Sequence, residues 1–252
     1  MCLILFAYHQ HPIYPLIVAA NRDESYHRPT ANAHFWSDIP TILAGRDMEK
    51  MGTWMGVSKT GRFAALTNYR DPTEHSEGKR SRGELVTNAL THQGEMKTYF
   101  ESLEKSNESY PGYNVVAGDG DILYYYSNIS RKLQILGPGI YGISNHLLDS
   151  DWPKVKKGKA ALTRILTESN ENLINKLMGI LQDAEPAPDY DLPRTGVSLE
   201  WERRLSPLFI QSDNYGTRSS TVLLLSKKDM QYTERIFNNG TVADQHFTIA
   251  LK

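Results

Sequence analysis

The stretch CLILFAYHQHPIYPLIVAANRDE, residues 2–24, decides how the rest of the chain is read. Cys2–Tyr8 is a short apolar run, residues 9–15 are mostly polar and carry Pro12 and Pro15, and residues 16–20 are apolar again. Two apolar runs joined by a turn-like segment predict a β-hairpin. Neither run alternates apolar with polar residues, so both faces of both strands are expected to be buried. The first strand then begins at residue 2, tied into the middle of a sheet. The charged group Asn21-Arg22-Asp23-Glu24 follows directly on the second strand.

Downstream, residues 21–40 read as polar and irregular. Residues 52–57 and 62–68 read as paired strands across the turn Ser58-Lys59-Thr60-Gly61. Residues 69–82 are polar and charged, a mobile loop and a candidate lid. Apolar spacing of three and four predicts helices over 83–92 and 95–104. Residues 113–117 and 122–126 form another hairpin, and 139–144 a short strand. Trp152-Pro153 opens a helix to about residue 167, with the proline in its first turn. A further helix covers 172–182, and 184–196 is a proline- and acid-rich loop. Strands are expected over 208–211, 219–225, 231–237 and 247–251. Hairpins with helices grouped between them point to an α+β fold of antiparallel sheets with helices outside, not alternating βαβ units. No convincing boundary divides it, so residues 1–252 are expected to form one domain.

A chain of 252 residues can bury a sizeable core. Its 28 basic residues balance 29 acidic ones, which gives no electrostatic case for nucleic acid. One cysteine allows no internal disulfide and suits a reducing compartment. The first residues lack a basic segment, and Tyr8, His9, Gln10, His11 and Pro12 interrupt the apolar run. Neither a signal peptide nor a membrane-spanning helix is expected, since the latter needs about 20 apolar residues. The expected location is the cytoplasm.

Cys2 is the first candidate for chemistry. Removal of Met1 would leave a thiol and an α-amine on one residue, and an amine of pKa near 8 can serve as the base. The plainer alternative is an inert cysteine opening a core strand. Asn21, Arg22, Asp23 and Glu24 crowd the end of an apolar strand, where site rims often lie. Asp23 can hold an amine or guanidinium, and Arg22 can clamp a carboxylate or phosphate. A solvated turn with a local ion pair is the alternative. The eight histidines show no metal spacing, and no Cys-x-x-Cys or His-Glu-x-x-His occurs. No Gly-x-Gly-x-x-Gly occurs either; Gly118-Asp119-Gly120 reads as a hairpin turn.

Taken together and in order, several segments resemble the NRDE family, also called transport and Golgi organisation protein 2-like. They are Met1-Cys2, Asn21-Arg22-Asp23-Glu24, Gly52-Thr53-Trp54-Met55-Gly56, the run from Gly61 through Arg70, and Ser81-Arg82-Gly83-Glu84-Leu85-Val86. Gly142-Ile143-Ser144-Asn145, Trp152-Pro153-Lys154-Val155 and Tyr215-Gly216-Thr217-Arg218-Ser219-Ser220-Thr221 continue the series. The resemblance covers essentially the whole chain. It implies an N-terminal-nucleophile (Ntn) hydrolase layout, a four-layer αββα sandwich of two antiparallel sheets between helices. Cysteine members of that superfamily, such as bile-salt and penicillin V acylases, start Met-Cys and carry Arg-Asn-x-Asp after strand two. Here the order is Ala20-Asn21-Arg22-Asp23, so the arginine is displaced. By the same resemblance Asn145 would help form an oxyanion hole, and Arg218 would lower the thiol pKa. Asn68 and Tyr69 would line the same pocket.

Three functions follow as expectations. The first is a carrier of a small amphipathic ligand, haem or an acyl-CoA-like molecule, an assignment implied by the resemblance and not by spacing or composition. Trp36, Trp54, Phe63, Tyr69 and the run Tyr124-Tyr125-Tyr126 offer flat apolar contacts, and Arg22, Arg62, Arg70 and Arg218 offer partners for propionates or phosphates. No cofactor is required; haem would be cargo. The second is an amidohydrolase in which Cys2 attacks a linear amide, with Asp23, Asn145 and Arg218 in support. The third is a non-catalytic scaffold. The site expected throughout comprises Cys2, Asn21, Arg22, Asp23, Trp54, Asn68, Tyr69, Asn145 and Arg218, with no metal.

Overall fold

A computed structural model describes residues 2–168, 171–238 and 240–251. Met1, whose removal the amidohydrolase expectation requires, lies outside the described residues. In chain order the strands are β1 (Cys2–Tyr8), β2 (Leu16–Ser25), β3 (Thr30–Phe35), β4 (Ile42–Asp47), β5 (Met55–Ser58), β6 (Phe63–Asn68) and β7 (Tyr113–Gly118). They continue with β8 (Leu123–Ser127), β9 (Gln134–Ile135), β10 (Gly139–Ile143), β11 (Tyr215–Leu225), β12 (Asp229–Asn238) and β13 (Thr241–Ala250). The helices are α1 (Gly83–Thr91), α2 (Met96–Glu104), α3 (Pro153–Thr167), α4 (Leu173–Leu181) and α5 (Leu199–Leu205).

Alternation along β1 sorts its side chains into two cores, because successive residues of a strand point to opposite faces. Leu3, Leu5 and Ala7 pack with Leu162, Leu177 and Met178 of α3 and α4. Ile4, Phe6 and Tyr8 pack instead with Val57, Phe63 and Val116 of the second sheet. That second sheet turns Ala64, Leu66 and Val115 outward onto Leu85, Val86 and Phe100 of α1 and α2. The result is helices, sheet, sheet, helices, the expected four layers. Strand order is β10-β1-β2-β11-β12-β13 in one sheet and β3-β4-β5-β6-β7-β8-β9 in the other. The predicted hairpin is present, with Tyr8 opposite Leu16 and Cys2 opposite Arg22. No described helix is long and apolar enough to cross a membrane.

The departures from expectation have local causes. β2 does not stop at Ala20; it runs through Asn21, Arg22 and Asp23 to Ser25 because β11 pairs along its whole length. Residues 30–35, read as irregular, and residues 42–47, which the sequence reading left unassigned, are strands at one edge of the second sheet. Residues 208–211 make only an isolated bridge from Gln211 to Gly216, and residues 199–205 form a helix that the sequence reading did not place.

Candidate functional site

β1 places Cys2 on the face that looks between the sheets, at their open end. Its cross-strand partner Arg22 shares that face. Asn21, one residue back, turns to the helical layer: its Nδ2 donates to the carbonyls of Leu181 and Leu208, and its Oδ1 accepts from the Ser220 hydroxyl. Asn21 therefore tethers β2 to its neighbours and does not face the space beside Cys2.

That space is a cleft of about 430 Å³ lined by Cys2, Arg22, Asp23, Glu24, Trp54 and Asn68, among others. Cys2 is half-buried. Burial pushes its thiol above the ordinary range and the Asp23 charge adds to this, while the Arg22 guanidinium opposes it. Arg22 is only 4% exposed. Its guanidinium lies 4.3 Å from the Trp54 ring centroid, and Nη2 is 3.7 Å from Glu24 Oε2. Its Nη1 is buried with no hydrogen-bond acceptor among the described residues. The Trp54 ring lies against Gly45, where a Cβ would meet it at 2.4 Å, so only glycine leaves it room.

Behind Cys2 sits a second buried charge. The Asp23 carboxylate is 1% exposed and accepts from Thr217 Oγ1 at 2.7 Å. Burial raises its pKa, and the Lys154 ammonium is the leading opposing influence. Lys154 reaches in from the first turn of α3, 2% exposed, its Nζ with no hydrogen-bond partner among the described residues. Burial pulls this amine down to about 8 against the attraction of Asp23. Sequence reading did not single out Lys154. The signal was available: Lys154, Val155, Gly158, Leu162 and Ile165 share one buried helix face, and a lysine there breaks the apolar pattern.

Arg218, Asn145 and Tyr69 do not line the cleft. The ladder between β2 and β11 shifts register between Thr217 and Ser219. Arg218 is thus the extra residue of a bulge, which re-aims its side chain. Its Nη1 donates to the carbonyls of Ser25, Tyr26 and Arg28, clamping the turn after β2. Asn145 is fully buried; its Nδ2 donates to the Asn68 carbonyl at 3.0 Å, and its Oδ1 accepts from the Ser144 hydroxyl. Tyr69 donates its amide to Gly112 and rests its ring on His146.

The loop over residues 69–82 forms one wall of the cleft through Ser76, Lys79, Arg80, Ser81 and Arg82. It is tied down at several points. Arg70 Nη1 donates to Glu202 at 2.8 Å, both side chains being buried. The Arg80 amide donates to Ser109, Arg82 Nη1 to Gly112, and the Gly112 amide to Glu74. Among the described residues no group of three or more His, Cys, Asp or Glu is arranged to hold a metal ion.

The comparisons with known proteins agree with this layout. The family model described as Transport and Golgi organisation 2 matches residues 1–239. The chain is 35% identical to the Transport and Golgi organization protein 2 homolog of Bos taurus, covering 93% of this chain and 92% of that one. The Mus musculus homolog is 34% identical with the same coverage. Among solved structures, the Caenorhabditis elegans ortholog of N-acylethanolamine-hydrolyzing acid amidase superposes with a TM-score of 0.52 at 9% identity, covering 88% of this chain and 92% of that one. At that identity the likeness concerns the fold alone, and it bears out the Ntn-hydrolase-like layout.

Proposed function

We propose, on the premise that this chain belongs to the Transport and Golgi organisation 2 family, that the Cys2 cleft binds and carries a small amphipathic anion. Haem and acyl-CoA-like molecules are the candidates that the family resemblance supplies. The observation that carries this reading is Arg22: a guanidinium 4% exposed, stacked on Trp54, with one nitrogen lacking an acceptor. Leaving a buried donor unmade costs about 1–3 kcal/mol, and more for a charged group. A ligand carboxylate or phosphate would remove that cost with a charge-assisted bond. Trp54 and Leu66 supply apolar wall in the same cleft.

Haem titration is the direct test. The wild type is expected to shift the Soret band, and Arg22→Gln to lose most of the shift at unchanged melting temperature. Absence of a shift, or an equal shift in Arg22→Gln, defeats haem as cargo. Titration with a long-chain acyl-CoA applies the same criterion to the other candidate.

A second reading, a Cys2-dependent amidohydrolase, is favoured by one observation: Cys2 lines a cleft. It requires a free α-amine on Cys2 as the base. Intact mass must therefore show Met1 removed, and Cys2→Ala must abolish cleavage of any amide substrate found. With neither binding nor cleavage, a scaffold role remains. One cysteine and no described membrane-spanning helix support work in the cytoplasm.

A further inference from the structure

We infer that the acidic end of the cargo is a phosphate group, seated at the amino end of α1 between Arg22 and Arg82. This rests on the reading of the cleft as the cargo site and names the chemistry of one end of it. The start of a helix offers backbone N–H groups and the positive end of its dipole, a ready anion site. α1 has nine residues, and Ser81, Arg82 and Gly83 line the cleft. Ser81 Oγ accepts from the Gly83 amide at 3.3 Å and the Glu84 and Leu85 amides donate to the Ser81 and Arg82 carbonyls, so the helix start contributes its positive field.

The helix is built into that position. A Cβ on Gly52 would come within 2.5 Å of the Gly83 backbone, and the Thr53 amide donates to the Gly83 carbonyl at 3.2 Å. Backbone thus lies on backbone, and the first turn of α1 is held beside Thr53 and Trp54, against which Arg22 stacks. This contact gives a physical role to two sequence segments, Gly52-Thr53-Trp54 and Ser81-Arg82-Gly83.

Several cations that line the cleft already have carboxylate partners. Arg28 binds Asp47 at 2.7 Å, Arg80 binds Glu84 at 2.7 Å, and Lys79 lies 3.8 Å from Glu74. Lys50 also lines the cleft but is exposed to solvent; Arg22 and Arg82 are more enclosed and lack a close carboxylate among the described residues. Arg22 has a buried nitrogen without an acceptor and only a 3.7 Å approach to Glu24, and the bond recorded for Arg82 Nη1 is to the neutral Gly112 carbonyl. Two guanidiniums offer donors from two directions, within the positive field of a helix start. That suits a phosphate, whose three or more oxygens accept from several sides, better than a planar carboxylate, which one fork satisfies.

Calorimetry on the full chain with three probes tests this: inorganic phosphate, dodecyl phosphate and dodecanoate. The expected result is dodecyl phosphate binding roughly tenfold or more tighter than either other probe. Arg82→Gln should weaken it roughly tenfold and Arg82→Lys less, because lysine keeps the charge but loses the fork. Lys97→Gln, on the exposed face of α2, should change nothing, and thermal melts verify that each variant folds. Dodecanoate binding as tightly as dodecyl phosphate overturns the phosphate assignment while the amphiphile reading stands. Inorganic phosphate binding as tightly as dodecyl phosphate supports the phosphate seat while removing the amphiphile. Failure of all three probes, or an Arg82→Gln variant that binds like wild type, overturns the proposal.

Discussion

The three strands β1, β2 and β11 run the length of one sheet, and their two ends differ in kind. At one end Tyr8 faces Leu16 and Leu16 faces Leu225, with Met230 and Leu123 closing the space between sheets. At the other end the same strands present Cys2, Arg22 and Thr217, with Asp23, Lys154 and Glu234 buried nearby. The closed end has almost nothing left to satisfy. The open end holds a guanidinium nitrogen and an ammonium without hydrogen-bond partners among the described residues. Burying charge that way opposes folding. One sheet therefore separates two tasks: apolar rows secure the fold, and the polar ends of those rows hold chemistry in a poised and costly state.

The largest effect should come from the closed end. Phe6→Ala empties a fully buried site between the sheets and should cost about 3–5 kcal/mol in urea denaturation. A loss under about 1 kcal/mol would break the contrast at its apolar side. Next comes Glu202→Ala, which takes the carboxylate from the buried Arg70 guanidinium and should cost about 3 kcal/mol. Replacing both partners by apolar residues should recover much of that loss, because no buried charge is then left behind. Arg22→Met should go the other way. Stability should stay within about 1 kcal/mol of wild type or rise, while binding in the cleft collapses; a large destabilisation would make Arg22 a fold residue after all.

The smallest effect is read in pH. The Lys154 amine sits near 8 in the folded chain against an ordinary value of 10.5. Between those values the unfolded chain binds the extra proton, so wild-type stability should rise with pH across that window relative to Lys154→Met. The difference curve should be flat below about pH 7. No upward slope between 8 and 10.5 would mean that the amine is not held buried.

The hairpin, the helices flanking it and the position of Cys2 were legible because local runs encode them: apolar stretches of strand length, a proline in a helix first turn, helical spacing. The placement of Arg22 beside Cys2 also follows from pairing two such runs. What escaped depends on distant partners. β2 extends through Asn21 because Ser220, 199 residues later, gives it a hydrogen bond. Arg218 was expected near the thiol, but one extra residue in β11 sends it to the turn at Ser25 instead. The side-chain amide of Asn145 donates to the Asn68 carbonyl, a pairing invisible in either local segment. Lys154 breaks the apolar pattern of its helix face, but the charge that attracts it, Asp23, lies on a distant strand.

The order of strands in the first sheet also sets a timetable for synthesis. β1 and β2 leave the ribosome well before their outer neighbours β10 and β11, so that Ile4 awaits Ile143 and Leu16 awaits Leu225. Two apolar strands with open edges must therefore persist until β10 and β11 emerge. Such long-range pairing folds slowly and leaves sticky edges exposed meanwhile. Truncation before β11 would strand the nascent hairpin without its neighbour and commit the chain to chaperones or to aggregation.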